Sequence, residues 1–155
     1  MGRFLLSALL FTALNAQAEL IMLDGHVRAM PPGQPNTAAF LQLKNTGTQT
    51  ITLVGANTPA AKKSEYHTHT MNDKGVMSMS QVPSIEVKPG QVFKFKSGAH
   101  HVMLMGLSKP LTPGEKIKLT LQDTQGQNYT YQVPVVSLLD KKPMNHNHHH
   151  HHGQE

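Results

Sequence analysis

The chain has 155 residues, with 9 Met, 11 His, no Cys and no Trp, and a formal charge of +5. That length allows one domain, and the lack of thiols excludes disulfides, thiol redox chemistry and thiolate metal sites. The positive charge is scattered, with Lys62-Lys63 and Lys141-Lys142 as the only basic pairs, and aromatic content is 5%. A basic balance of this kind bears on solubility and non-specific association and does not point to nucleic acid.

Residues 1–18 read as a secretory signal peptide. Arg3 is followed by an apolar run from Phe4 to Leu14 and by Ala16-Gln17-Ala18 as a small-x-small cleavage site. A short membrane anchor or a buried helix competes with that reading, but the run is far below the roughly 20 residues of a spanning helix. Cleavage after Ala18 leaves residues 19–140 as the domain. No other stretch is long and apolar enough for a membrane span. About 120 residues can supply a core without covalent staples.

The body is expected to be all-β. Pro31-Pro32 and Gly33 to Thr37 form a loop ahead of the first long strand. Strands are expected at 38–44, 50–54, 63–68, 76–81, 84–87, 92–96, 101–105, 116–122 and 129–133, from runs of period-two alternation closed by turn residues. Lys88-Pro89-Gly90-Gln91 reads as a β-turn, with Pro fixing φ at the second position and Gly accepting positive φ at the third. Asp123 to Asn128 joins the last two strands. About nine short strands and no sustained helical period imply a Greek-key sandwich or barrel. Its core would draw on Phe40, Leu41, Leu43, Leu53, Val102 and Leu104.

The residues that carry chemistry sit in two segments, 66–79 and 99–107. In an extended strand, His101, Met103 and Met105 share one face and Val102 and Leu104 the other. Met77 and Met79 repeat the pattern with two thioethers, and His67 and His69 come from a third run. Met is ordinarily a filler of irregular core space. Met-x-Met and His-x-Met-x-Met together, in a chain without Cys, make a poor core pattern and a good ligand set. Imidazole with thioether suits copper, and Cu(I) above all, because neutral sulfur is a soft donor. The candidate ligands are His67, Met79, His101 and Met103, with His69, Met77 and Met105 as possible additions; His69 competes with His67 for the role of first ligand.

These residues resemble the motif H-(M)-x10-M-x21-H-x-M of the periplasmic copper chaperones of the PCuAC type. Twenty-one residues separate Met79 from His101-Val102-Met103. Eleven separate His67 from Met79, and Asp73-Lys74-Gly75 has room for one extra residue in a hairpin turn. His26 to Phe40 is similar to the family's opening strand and loop, and His101 to Leu107 to its closing motif. The resemblance covers roughly residues 20–134. It implies a cupredoxin-like fold and delivery of copper to the dinuclear site of cytochrome c oxidase, with the apo oxidase site or a thiol-bearing assembly protein as partner. The chain is expected to act as a periplasmic monomer.

Residues 141–155 read as a disordered His-rich tail, with His146, His148, His149, His150, His151 and His152. Clustered imidazoles bind Cu(II), so the tail is a candidate for capture of the oxidised ion. An expression tag is the alternative origin of that run. Storage or resistance is the competing function. An enzyme is not expected: no strained Gly-x-Ser-x-Gly turn is present, and the nine carboxylates form no pair near the motif. A blue-copper electron carrier needs a cysteine ligand that the chain lacks.

Overall fold

The computed structural model describes residues 19–137. The expected signal peptide (1–18) and His-rich tail (141–155) lie outside the described residues. Ten strands are present: β1 (Leu20–Arg28), β2 (Asn36–Asn45), β3 (Ile51–Asn57), β4 (Ala61–Met71), β5 (Met77–Gln81), β6 (Ile85–Val87), β7 (Val92–Lys94), β8 (His101–Leu107), β9 (Lys116–Asp123) and β10 (Asn128–Val136). Among the described residues there is no helix, and so none long and apolar enough to cross a membrane.

Seven strands close into a barrel in the order β4-β8-β2-β1-β10-β9-β3, with Ala56 of β3 paired to Ser64 of β4 completing the ring. The β1–β10 pair is parallel, and the other pairs are antiparallel. The three short strands lie off the ring. β5 forms a hairpin with β4, β6 lies along the start of β3, and β7 lies along the end of β2. The fold is the all-β barrel expected from the alternation, and it is cupredoxin-like, as the resemblance implies.

The alternation decides what fills the barrel. Ala39, Leu41 and Leu43 of β2, Val102 and Leu104 of β8, and Ile117, Leu119 and Leu121 of β9 point inward and are buried. Each fully buried Leu or Val stabilises the fold by about 1.5–3 kcal/mol. Tyr66 of β4 is also inward, and its hydroxyl donates to the Gly55 carbonyl at 2.7 Å. Turn chemistry behaves as read. Gln91 N–H donates to Lys88 O at 3.0 Å, and Gly90 has φ +74°, a conformation that glycine adopts without strain.

Two features differ from expectation. β1 is an additional strand, inside the ring. Its opening Leu20-Ile21-Met22-Leu23 is a continuous apolar run, and the register shifts between Met22 and Asp24, so no clean period-two signal survives. Phe40 is buried, but outside the inner cluster that holds Leu41 and Leu43. It lies on the outer face of β2, among polar rings.

Candidate metal centre

Tyr66 faces the core, so its odd-numbered neighbours on β4, Lys63, Glu65, His67, His69 and Met71, line the outer face. On β8 the inward Val102 and Leu104 put His101, Met103 and Met105 on that same outer face. Register then sets who meets whom. His67 is opposite His101, Glu65 opposite Met103 and Lys63 opposite Met105. Across the other edge of β4, His69 is opposite Met79 and Met71 opposite Met77.

The structure brings three imidazoles together. The His101 ring lies 6.0 Å from that of His67 and 5.2 Å from that of His69, centroid to centroid. Met79 stands beside His69. Met103 lies one same-face step along β8 from His101, about 7 Å. Met77 is one step farther out than Met79. Met105 lies two steps from His101, opposite Lys63, and is the most remote of the expected additions. Behind His101 the outer face is aromatic: Phe40 is 6.3 Å away, His26 is 5.3 Å from Phe40, and the Arg28 guanidinium sits 5.0 Å over the Phe40 ring. These rings help leave His101 only 2% exposed, whereas Met79 is 46% exposed. The face thus runs from a buried imidazole to solvent-facing thioethers.

Hydrogen bonds select which nitrogen has a free lone pair in the His101 and His67 rings. The Ala99 carbonyl lies 3.1 Å from His101 Nδ1 and can only accept, so Nδ1 carries the proton and Nε2 the lone pair. Burial holds the His101 pKa below the ordinary imidazole value. The Ala99 carbonyl opposes that shift, while His69, His67 and Arg28 add to it. The ring is therefore in its neutral, ligating form at neutral pH. His67 Nε2 lies 2.9 Å from Glu65 Oε2, a carboxylate that accepts, which leaves the Nδ1 lone pair. Glu65 is in turn paired to Lys63. The hydrogen bond from Lys63, and then that from His67, keeps the Glu65 carboxyl below the usual carboxylate range.

Among the described residues, His67 Nδ1 and His69 Nδ1 are buried without a hydrogen-bond partner. Leaving a buried polar atom unpaired costs about 1–3 kcal/mol, and an electron-pair acceptor such as a metal ion would remove that cost. Also among the described residues, no three His, Asp or Glu side chains form a cluster able to hold an ion by themselves. A soft ion drawing on thioethers as well as imidazoles fits the donor set better than a hard one.

Sequence reading missed Glu65 and Met71. Both share the period-two face of His67 and His69, so the signal was present; pairing across two strand edges is what gives it meaning. A cavity of about 630 Å³ adjoins the ring cluster, with His26, Arg28, Phe40 and Ser137 in its wall. The His-rich segment follows Ser137 in the chain.

The barrel is PCuAC-like in fold. The chain superposes on the copper-bound PCuAC domain from PmoF2 with a TM-score of 0.63 at 16% identity, covering 76% of this chain and 92% of that one, a likeness of fold. It is also similar to the Cu(I) form of DR1885 from Deinococcus radiodurans, at 34% identity and a TM-score of 0.61, covering 79% of this chain and 83% of that one. The chain belongs to the LpqE-like lipoprotein family, whose model matches residues 20–135. Lxx21020 of Leifsonia xyli subsp. xyli, a protein named as a lipoprotein, is 38% identical over 104 residues, which is 66% of this chain and 62% of that relative.

Proposed function

We propose that this protein is an extracytoplasmic copper chaperone that carries Cu(I) on the outer face of β4, β5 and β8. The observation that carries the reading is the pair of buried, unpartnered imidazole nitrogens of His67 and His69, on rings that lie 6.0 and 5.2 Å from that of His101 and are bordered along the strands by thioethers. The ion is cargo. His67, Met79, His101 and Met103 are its proposed ligands, with His69 placed to join them. Thioethers are neutral and weak, so they hold Cu(I) without trapping it, and their exposure gives a partner access for ligand exchange. The copper-bound structures of similar proteins support the choice of ion.

The acceptor we propose is the dinuclear copper site of cytochrome c oxidase, reached directly or through a thiol-bearing assembly protein. Export by a cleaved leader (residues 1–18) and action in the periplasm as a monomer belong to the same proposal. Residues 141–155 supply a second, harder set of donors for Cu(II), and residue 137 leaves the barrel in the wall of the cavity beside the ring cluster.

The test compares the full-length mature protein with a version ending at Lys142. Both take up one Cu(I) per chain in competition with a strong Cu(I) chelator, and the loaded domain passes it to an apo oxidase copper site. Only the full-length form binds Cu(II), with affinity falling as pH drops through ~6.5, where free imidazole protonates. Equal loss of both ions on truncation would merge the two sites and overturn the division. Many Cu(I) ions held against the chelator, with no transfer, would favour storage.

Glu65 has a positioning role in this reading. By holding the proton of His67 on Nε2 it presents Nδ1 to the ion. Glu65→Gln is expected to lower Cu(I) affinity by about 10–100-fold, the usual effect of removing a hydrogen bond that orients a ligating imidazole. An unchanged affinity would remove Glu65 from the site.

A further inference from the structure

We propose a second, wholly thioether Cu(I) site at the tip of the β4–β5 hairpin, built from Met71 and Met77 with Met79 as a ligand shared with the main centre. The proposal rests on the copper reading above, and extends it to residues at the solvent end of the same face.

Register makes the pair. Met71 and Met77 are direct cross-strand partners, and His69 and Met79 are the next partners on the same face. Directly opposed residues have Cβ atoms about 4.5–5.5 Å apart, and the next same-face residue lies about 7 Å along the strand. Three flexible thioethers at those spacings can converge on one ion. Cu(I) is the biological ion whose softness matches such donors.

The turn holds the pair in place. Gly75 N–H donates to Asn72 O at 2.9 Å, and Asn72 N–H to Val76 O at 3.0 Å. Asn72 Oδ1 accepts from the Lys74 and Val76 amides at 3.0 and 2.9 Å, and Gly75 takes φ +76°. On the other face of the hairpin, the Thr70 and Ser78 hydroxyls bond at 3.0 Å. The tip is therefore a fixed platform and its polar side is already used.

Packing does not explain these methionines. Met71 is 66% exposed and Met77 51%. Of the seven large apolar side chains that are exposed among the described residues, four (Met71, Val76, Met77 and Met79) belong to this hairpin. Exposed apolar clusters mark sites of interaction, and here the apolar groups are also ligands. With no imidazole and full access to water, the tip binds more weakly than the main centre, so it fills only when Cu(I) exceeds one equivalent. Sharing Met79 lets an ion move between the two sites by exchange of one neutral ligand for another, with no change of charge or oxidation state.

The test uses full-length mature protein carrying 13C-labelled methionine methyls, titrated anaerobically with Cu(I). The first equivalent is expected to shift Met79 and Met103, and the second to shift Met71 and Met77. Met71→Leu with Met77→Leu, a change of similar volume at exposed positions, should abolish the second event and leave the first intact. It should also slow release to a chelator from the loaded protein. Met71 and Met77 signals that stay still through excess Cu(I) would overturn the tip site while leaving the main centre standing. Shifts of Met71 and Met77 without any response of Met79 and Met103 to the first equivalent would instead overturn the main assignment. Second-event shifts that persist on other methionines in the double variant would place the extra ion elsewhere and refute the tip site.

Discussion

Met79→Leu and Met103→Leu together will lower Cu(I) affinity by more than the roughly 10–100-fold expected from loss of a single orienting hydrogen bond. The two thioethers flank the imidazole cluster, one on β5 beside His69 and one on β8 beyond His101. Removing both leaves imidazoles alone, a harder set that disfavours Cu(I). Leucine nearly conserves the volume of methionine, so the cost to the fold stays below about 1.5 kcal/mol, and less at the half-exposed Met79. A fall in affinity can then be read as lost coordination. Competition with a chromophoric Cu(I) chelator measures it; equal affinity in the double variant and the parent protein would show that the ligands are elsewhere.

Leu104→Ala will destabilise the metal-free domain by about 2–5 kcal/mol. Leu104 is fully buried on β8, on the face opposite Met103. For a domain of this size that corresponds to a drop in Tm of roughly 8–20 °C. The comparison requires a folded apo protein, which the inner cluster supplies from strands that need no ion to pair. Copper then adds stability only by mass action, about 2.7 kcal/mol at a hundredfold excess over Kd. Circular dichroism melts of apo and loaded forms check both points. An apo chain lacking β-sheet signal at room temperature would replace the carrier by metal-templated folding.

Much of the barrel was legible because its strands are half-buried and alternate. Leu41 and Leu43, or Val102 and Leu104, announce an inward face by their period. β1 did not, since a bulge after Met22 breaks the period within an apolar run. The shared outer face of His101, Met103 and Met105 could be read from alternation alone. Glu65 escaped because a carboxylate on a strand normally means a solvated face, and only the ring 2.9 Å away makes it a support for His67. Phe40 was named for burial and is buried, but outside the inner cluster. Its apolarity suggests core, but its parity sets it on the outside, where His26, His101 and Arg28 surround it. Met71 shares the strand face of His69 but lacks the Met-x-Met pair that marks Met77; the hairpin register is what pairs the two.

β7 and β8 lie along one and the same edge of β2, β7 against Gln42–Lys44 and β8 against Asn36–Ala39, with a short loop between them. Each strand is locked to β2 by its own ladder, so the loop must bridge a set gap with a set parity. One residue inserted there and taken up by β8 would turn His101 and Met103 inward and Val102 outward. The turn after Met71 is different, since a residue added at its tip moves neither strand. The two intervals of the ligand pattern therefore tolerate length change unequally: the stretch from His67 to Met79 can grow at its tip, while the approach to His101 works as a ruler cut to the width of the barrel.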